Sequence, residues 1–306
     1  MTTAKWIDTH VHVSDRGKDG RRHERLVEDV MDVFDRDEAD LRWVISPDAN
    51  WIGTVKQDAH GVAKAATFIR DLVRAAPGRL YGSCLVNPHF LKASLDVMDC
   101  CFGGWGFVQL GEMLQYMMDF VMDSDEVEAL LRKAAEYDAP VEVHISTSNT
   151  KTHPSSFGTE QLEDLCRAAD RVPEAKYILA HAVGGEKADP PVVDEYLDMV
   201  EDRYGEWPDN FWMEVRDFSS PGLRSALDRV PHTRLLAGTD WTNRVGPPFP
   251  AYGTLFAMGT LGADKPNPYP PCVAAMVDLL RKAGASDEAI SAIGFGNAAE
   301  LFRLPE

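Results

Sequence analysis

Ile7-Asp8-Thr9-His10-Val11-His12 opens this chain as an apolar run that carries two histidines. Residues two apart in a β-strand point to the same face, so His10 and His12 would present their imidazoles side by side, a spacing suited to one metal ion. Three later stretches share the design. Pro140-Val141-Glu142-Val143-His144-Ile145, Tyr177-Ile178-Leu179-Ala180-His181 and Leu235-Leu236-Ala237-Gly238-Thr239-Asp240 each run from a short apolar segment of strand composition into a histidine or an aspartate. A lone His-x-His on a half-exposed strand is a weak signal. Four strands that each end in a ligand-type residue are a stronger one.

The rest of the chain repeats a strand-then-helix unit. Strand candidates lie at 6–13, 41–47, 80–87, 107–112, 141–146, 177–181, 212–218 and 235–240. Segments of helical periodicity at 24–39, 62–76, 124–137, 159–169 and 191–204 run between them. Eight strands joined by right-handed helical crossovers close naturally into a (β/α)8 barrel, expected here as one domain over residues 1–306. A doubly wound open sheet would need a glycine-rich phosphate turn after the first strand, and none is there. Ser124-Asp125 and Ser286-Asp287-Glu288 read as helix starts, with a capping hydroxyl and acids in the first turn. The proline-rich stretches 246–250 and 265–271 read as loops.

A barrel carries its active site at the C-terminal ends of its strands. His10 and His12 in strand 1, Glu112 ending strand 4, His144 late in strand 5, His181 ending strand 6 and Asp240 ending strand 8 then converge on one mouth. Packing alone does not account for so many ionisable groups gathered in one place, because clustered buried ionisable groups are costly.

Composition narrows the function class. Charged residues at 26% and hydrophobic ones at 44% describe an ordinary soluble globular protein. The net charge of −18 argues against a partner bound through phosphate neutralisation, so no nucleic-acid role is expected. No apolar run approaches the ~18 residues of a membrane span. The first strand begins without a basic region or an apolar signal core, and a cytoplasmic protein with no membrane association is expected. Cys84, Cys100, Cys101, Cys166 and Cys272 form no CxxC pair and read as free thiols of a reducing compartment.

With these motifs in order, the chain resembles the amidohydrolase superfamily, and within it the amidohydrolase-2 group of metal-dependent barrel enzymes. The likeness runs from Ile7-Asp8-Thr9-His10-Val11-His12 through Pro140–His144, His181 and Gly238-Thr239-Asp240 to Ile293-Gly294-Phe295-Gly296-Asn297-Ala298-Ala299-Glu300-Leu301-Phe302. The resemblance implies that His10, His12 and Asp240 bind one metal and that His144 is also a ligand. It implies that His181 binds a second metal or polarises substrate or water. Leu110-Gly111-Glu112-Met113 resembles the glycine-glutamate turn of TatD-type hydrolases, which implies that Glu112 bridges two ions. A homodimer is a further expectation from the resemblance.

Imidazoles with carboxylates suit Zn2+, while Fe2+, Mn2+ and Co2+ fit the same donor set. The expected reaction is hydrolysis of an ester, thioester, lactone or amide of a small molecule. The ion would acidify a water molecule, Asp240 would take and return its proton, and the ion or His181 would stabilise the developing oxyanion. Some amidohydrolase-2 members are instead one-zinc, non-oxidative decarboxylases of aromatic or unsaturated acids. Those carry a His-Pro-Arg-like turn after strand 5, where this chain has His144-Ile145-Ser146, and Tyr-Pro after the aspartate, where this chain has Trp241-Thr242. Decarboxylation is therefore the alternative.

Substrate contacts are less legible. Arg216, ending strand 7, suits bidentate capture of a carboxylate or a salt bridge to Asp217 or Glu214. Trp51, Trp241, Phe249 and Tyr252 fall in strand-end loops that either wall an apolar pocket or simply pack. His89, after Asn87-Pro88, is a candidate polar contact.

Overall fold

The computed structural model describes residues 4–16, 24–147, 158–183, 192–216, 218–242 and 272–305. Parallel strands β1 (Lys5–Val13), β2 (Asp40–Pro47), β3 (Leu80–Cys84), β4 (Gln109–Met113), β5 (Val141–His144), β6 (Tyr177–Ala180), β7 (Phe211–Val215) and β8 (Leu235–Ala237) pair in chain order. From β8 the chain passes through Gly238-Thr239-Asp240 into the short β9 (Trp241–Thr242), which pairs with β1 by setting Trp241 opposite Val11 and Thr242 opposite His12. That pairing closes the ring into a (β/α)8 barrel.

The crossovers are α1 (Leu26–Arg36), α2 (Ile52–Gln57), α3 (Ala59–Ala75), α4 (Leu91–Gly103), α5 (Gln115–Met118), α6 (Asp125–Glu136), α7 (Gly158–Arg171), α8 (Val192–Tyr204) and α9 (Leu223–Arg229). In α3 the buried residues Val62, Ala65, Ala66, Ile69 and Leu72 recur at helical spacing, which turns one stripe onto the strands. Asp58 caps that helix by accepting from the Gly61 N–H at 2.8 Å. Ser124 and Ser286 cap their helices as the sequence predicts, each accepting from the backbone N–H three residues on. Cys84, Cys101 and Cys166 are buried, and all five cysteines are free.

Two apolar layers result. One fills the space between strands and helices. The other plugs the barrel from below, where Ile7, Val44, Ile178, Trp212 and Leu236 meet Ala298, Leu301 and Phe302 of the C-terminal segment. Asn297 fastens that plug by donating to the carbonyls of His232 and Leu235 at 2.7 Å each. This gives the glycine-asparagine-alanine stretch a structural job beneath the site.

Several strands end earlier than their apolar runs. β3 stops at Cys84 rather than at 87, because Asn87 turns to cap a short helix at Pro88, which has no N–H for a ladder. β5 and β7 stop at His144 and Val215 rather than at 146 and 218, and β8 stops at Ala237. Asp240 thus lies beyond β8, at φ 53°, and His181, at φ 42°, immediately follows β6. The backbone leaves the ladder where these side chains turn into the mouth. The loops read at 246–250 and 265–271, together with Phe249 and Tyr252, lie outside the described residues.

The first strand holds one feature that alternation does not show. Its register with β2 shifts between Asp8 and Val11, so Thr9 and His10 together stand opposite Val44. This β-bulge lets Ile7 plug the barrel floor and His12 reach the mouth on the same interior side, although they are five residues apart.

Candidate metal centre

Four histidines and two carboxylates meet where these strand ends converge. His10 Nε2 lies 3.0 Å from His12 Nε2, and the Asp240 carboxylate lies 3.8 Å from the first and 3.4 Å from the second. His144 Nδ1 and His181 Nε2 converge on Glu112 Oε1 at 2.9 and 3.2 Å. The other oxygen of Glu112 faces His12 at 3.3 Å and His10 at 3.6 Å. Glu112 therefore stands between two groups, His10–His12–Asp240 and Glu112–His144–His181, each with its ligand atoms close enough to share one ion. His12 and Asp240, with side chains 12% and 15% exposed, form the open side of the cluster.

The hydrogen bonds beneath the cluster decide which nitrogens are bare. His10 Nδ1 donates to Glu214 Oε2 at 2.9 Å. His12 Nδ1 faces the Ser46 hydroxyl at 2.8 Å and the Pro47 carbonyl at 3.3 Å, and the carbonyl can only accept. With both Nδ1 atoms engaged as donors, the two Nε2 lone pairs point at one spot, the arrangement that second-layer partners impose on metal-ligating histidines. In the other group, His144 Nε2 and His181 Nδ1 are buried without a hydrogen-bond partner among the described residues. Nitrogens and carboxylate oxygens in these numbers fit a divalent ion of the zinc or manganese kind.

The electrostatics of the cluster favour positive charge, whether it comes as a proton or as an ion. Burial by itself would pull His10 down, but Glu142, Glu214 and Glu112 around it hold the imidazole well above its usual value. Burial would raise Glu112, yet His10 and the hydrogen bonds from the histidines hold it well below the ordinary carboxylate range. Burial pushes Glu142 well up, with Glu214 and Glu112 adding to the rise. The carboxylates of Glu112, Glu214 and Asp240 gather around His10 and His12, so the pocket favours positive charge. His181 is pulled down to about 4 by burial and stays neutral.

Glu142 and Glu214 went unread in the sequence as site residues, although period-2 alternation carries the signal. Glu142 is two residues before His144, and Glu214 is two before Arg216. Glu214 receives the His10 ring, the His181 backbone N–H at 3.1 Å and the Thr9 hydroxyl at 2.8 Å. Asp8 fastens the turn before Asp240 by accepting the Thr239 N–H at 2.9 Å and its hydroxyl at 2.5 Å. Burial pushes the Asp8 carboxyl up to about 7 against those bonds.

Two glycines allow the close approaches. Gly111 holds φ 135°, and a Cβ there would meet the Glu142 carbonyl at 2.6 Å. A Cβ on Gly238 would lie 2.6 Å from the Glu214 carboxyl and 2.9 Å from the Thr9 hydroxyl. Gly238→Ala is expected to destabilise the fold by about 1–3 kcal/mol through overpacking, read as a lower urea midpoint at unchanged slope. An unchanged midpoint would show that Glu214 yields without cost.

The candidate substrate contacts divide. Arg216 joins the cluster, with its guanidinium 3.3 Å from Asp240 Oδ2. Asp217, one of the partners read for it, lies outside the described residues. His89 is occupied elsewhere, its Nε2 lying 3.0 Å from each of the carbonyls of Met118 and Asp119. The ring of Trp51 stacks on Phe68 at 5.0 Å beside a cavity of about 450 Å³ lined by Asp15, Leu26 and Val27, with no described contact to the cluster. Trp241 sits in β9 against β1, and its side chain is outside the described residues.

A family model described as amidohydrolase matches residues 7–304. No curated protein sequence matches the chain. Among solved structures, a putative amidohydrolase from Staphylococcus aureus aligns at TM-score 0.68 and 15% identity, covering 98% of this chain and 100% of its own. The 5-carboxyvanillate decarboxylase of Sphingomonas paucimobilis aligns at 0.65 and 14%, covering 99% and 100%. A dihydroxybenzoic acid decarboxylase from Polaromonas, with bound manganese and the inhibitor 2-nitroresorcinol, aligns at 0.63 and 16%, covering 99% and 98%. Further decarboxylases and a 4-oxalomesaconate hydratase show similar likeness. At these identities the likeness is one of fold.

Proposed function

Because the chain belongs to the amidohydrolase family, we propose that it is a metal-dependent enzyme that removes the carboxyl group of a small aromatic or unsaturated acid as carbon dioxide. The observation that carries this reading is Arg216. Its side chain is 11% exposed and its guanidinium is held against Asp240 beside the ligand cluster, a fixed cation placed for a substrate carboxylate. A neutral ester or lactone offers it no opposite charge. The recurrence of decarboxylases among structures of the same fold supports the reading.

His10, His12 and Asp240 would hold the ion, with His144 beside them. A bound divalent cation would supply Lewis-acid polarisation of a substrate oxygen. Arg216 orients the carboxylate. When the bond to that carboxyl group breaks, its electron pair stays on the substrate carbon, which must then take a proton. Asp240, at the open side of the cluster, is the proton carrier, and neutral His181 faces the Glu112 carboxylate at 3.2 Å. Glu112 and Glu214 hold the imidazoles in place.

Hydrolysis, the reaction first expected from the motifs, is the second reading, and one observation favours it. Glu112 touches both histidine pairs, as a carboxylate shared by two ions would. Zinc as the metal, a homodimer and a cytoplasmic location stay within this proposal. Among the described residues, no helix is long and apolar enough to cross a membrane.

The deciding experiment offers the manganese- or zinc-loaded protein a panel of aromatic acids, esters, thioesters and lactones, and follows carbon dioxide and acid release separately. Carbon dioxide from an aromatic acid is expected. Acid release from an ester or lactone without carbon dioxide would replace this reading with hydrolysis. Arg216→Ala is expected to raise KM about 10- to 100-fold, since a hydrogen bond to a charged group is worth about 1.5–3 kcal/mol. An unchanged KM would remove Arg216 from the substrate.

A further inference from the structure

Between β4 and α6 the chain makes one short helical turn, α5, and three separate contacts tie it down. The Gln115 side chain donates to the His144 carbonyl at 2.8 Å, which fastens the start of the turn to the end of β5. The His89 ring lies 3.0 Å from each of the carbonyls of Met118 and Asp119 at its end. Lys56 donates to the Met117 carbonyl at 2.9 Å and to the Asp119 carboxylate at 2.7 Å. Met118 is fully buried beneath it. A four-residue turn does not hold itself together, so these anchors set where the side chain of its second residue goes.

That side chain is Tyr116. Its ring packs on the His144 imidazole with centroids 4.5 Å apart, at the C-terminal end of the strands where the ligand cluster opens. The ring is partly buried, and among the described residues its hydroxyl has no hydrogen-bond partner. A tyrosine hydroxyl carries its own O–H donor. A donor held rigidly beside a metal ligand, with no partner among the described residues, is pre-organised for something that enters the mouth.

We propose that Tyr116 binds the substrate directly, its hydroxyl donating a hydrogen bond to an oxygen of a bound aromatic carboxylate while its ring forms one wall of the pocket next to His144. The role rests on the aromatic-acid reading above. It also gives His89, Lys56 and Gln115 a shared purpose, which is to hold the turn that carries this tyrosine. His89, placed by sequence as a substrate contact, acts through Tyr116.

Benzoate serves as the probe, titrated calorimetrically into manganese-loaded parent and Tyr116→Phe, with metal content and thermal midpoint measured on both. Phenylalanine keeps the ring and removes only the hydroxyl. Tyr116→Phe is expected to bind benzoate about tenfold more weakly or worse, at unchanged metal content and with the midpoint shifted by no more than ~2 °C. Equal affinity in the two proteins would overturn the role of Tyr116 and leave the aromatic-acid reading standing. Weaker binding accompanied by metal loss or a lowered midpoint would make Tyr116 a packing residue and overturn the proposal. No benzoate binding to the parent would overturn the aromatic-acid reading itself, and this inference with it.

Discussion

His12→Ala is expected to abolish turnover while leaving the barrel folded. His12 is one of the two imidazoles whose bare Nε2 atoms face each other at 3.0 Å, and its ring lies on the open side of the cluster. Without it, the group that would hold the ion keeps only His10 and Asp240, with His144 beside them, one donor short of the set an ion of this kind takes. Metal chemistry at such a centre is worth several kcal/mol, so its loss lowers kcat by more than about a thousandfold. Little else depends on the ring. The apolar layers on both sides of the strands are complete without it, unlike a zinc finger, whose folding energy comes from the metal. Elemental analysis should show the metal lost, and circular dichroism should show an unchanged spectrum and a cooperative melt. Full turnover in metal-free His12→Ala would refute the metal-dependent reading.

Glu112→Gln is the second large effect, and it also separates the two chemistries. Its carboxylate, among the described residues, is the group that lies within 3.6 Å of all four histidines. Replacing one oxygen by an amide nitrogen puts a donor where an acceptor stood and removes a charge that His10 and the surrounding hydrogen bonds stabilise. Turnover should fall at least about a hundredfold, the scale of losing a partner that orients metal ligands. Metal content then distinguishes the readings. Decarboxylation expects the parent to hold one equivalent and Glu112→Gln to retain it. Hydrolysis expects two equivalents falling to one. Unchanged turnover in Glu112→Gln would remove Glu112 from the centre in either case.

Much of this site is legible along the chain because β-strand geometry is local. A period of two puts His10 and His12 on one face, and apolar runs ending in His144, His181 and Asp240 mark the strand ends at which a barrel gathers its chemistry. The same rule applied to Val141-Glu142-Val143-His144 reaches Glu142. Alternation and helix caps likewise define the barrel, although they overrun the strand ends at β3, β5, β7 and β8.

Distances between strands belong to tertiary structure, because they depend on register and on bulges set by pairing partners far away in sequence. The bulge at Thr9–His10 changes which residues of β1 share the interior, and no alternation rule contains it. Glu112 reads in sequence as one acid at the end of one strand. Only the closing of β1 against β9, and the placing of β4 across from it, sets that carboxylate between the His10–His12 and His144–His181 pairs. Tyr116 carries no periodic signal at all, since a four-residue turn is positioned by Gln115, His89 and Lys56, two of which come from other segments of the chain. The sequence by itself determined the barrel and the chemical types gathered at its mouth. The fold alone decided which of those groups face one another, because side-chain direction along a strand is a local property and proximity across a barrel is not.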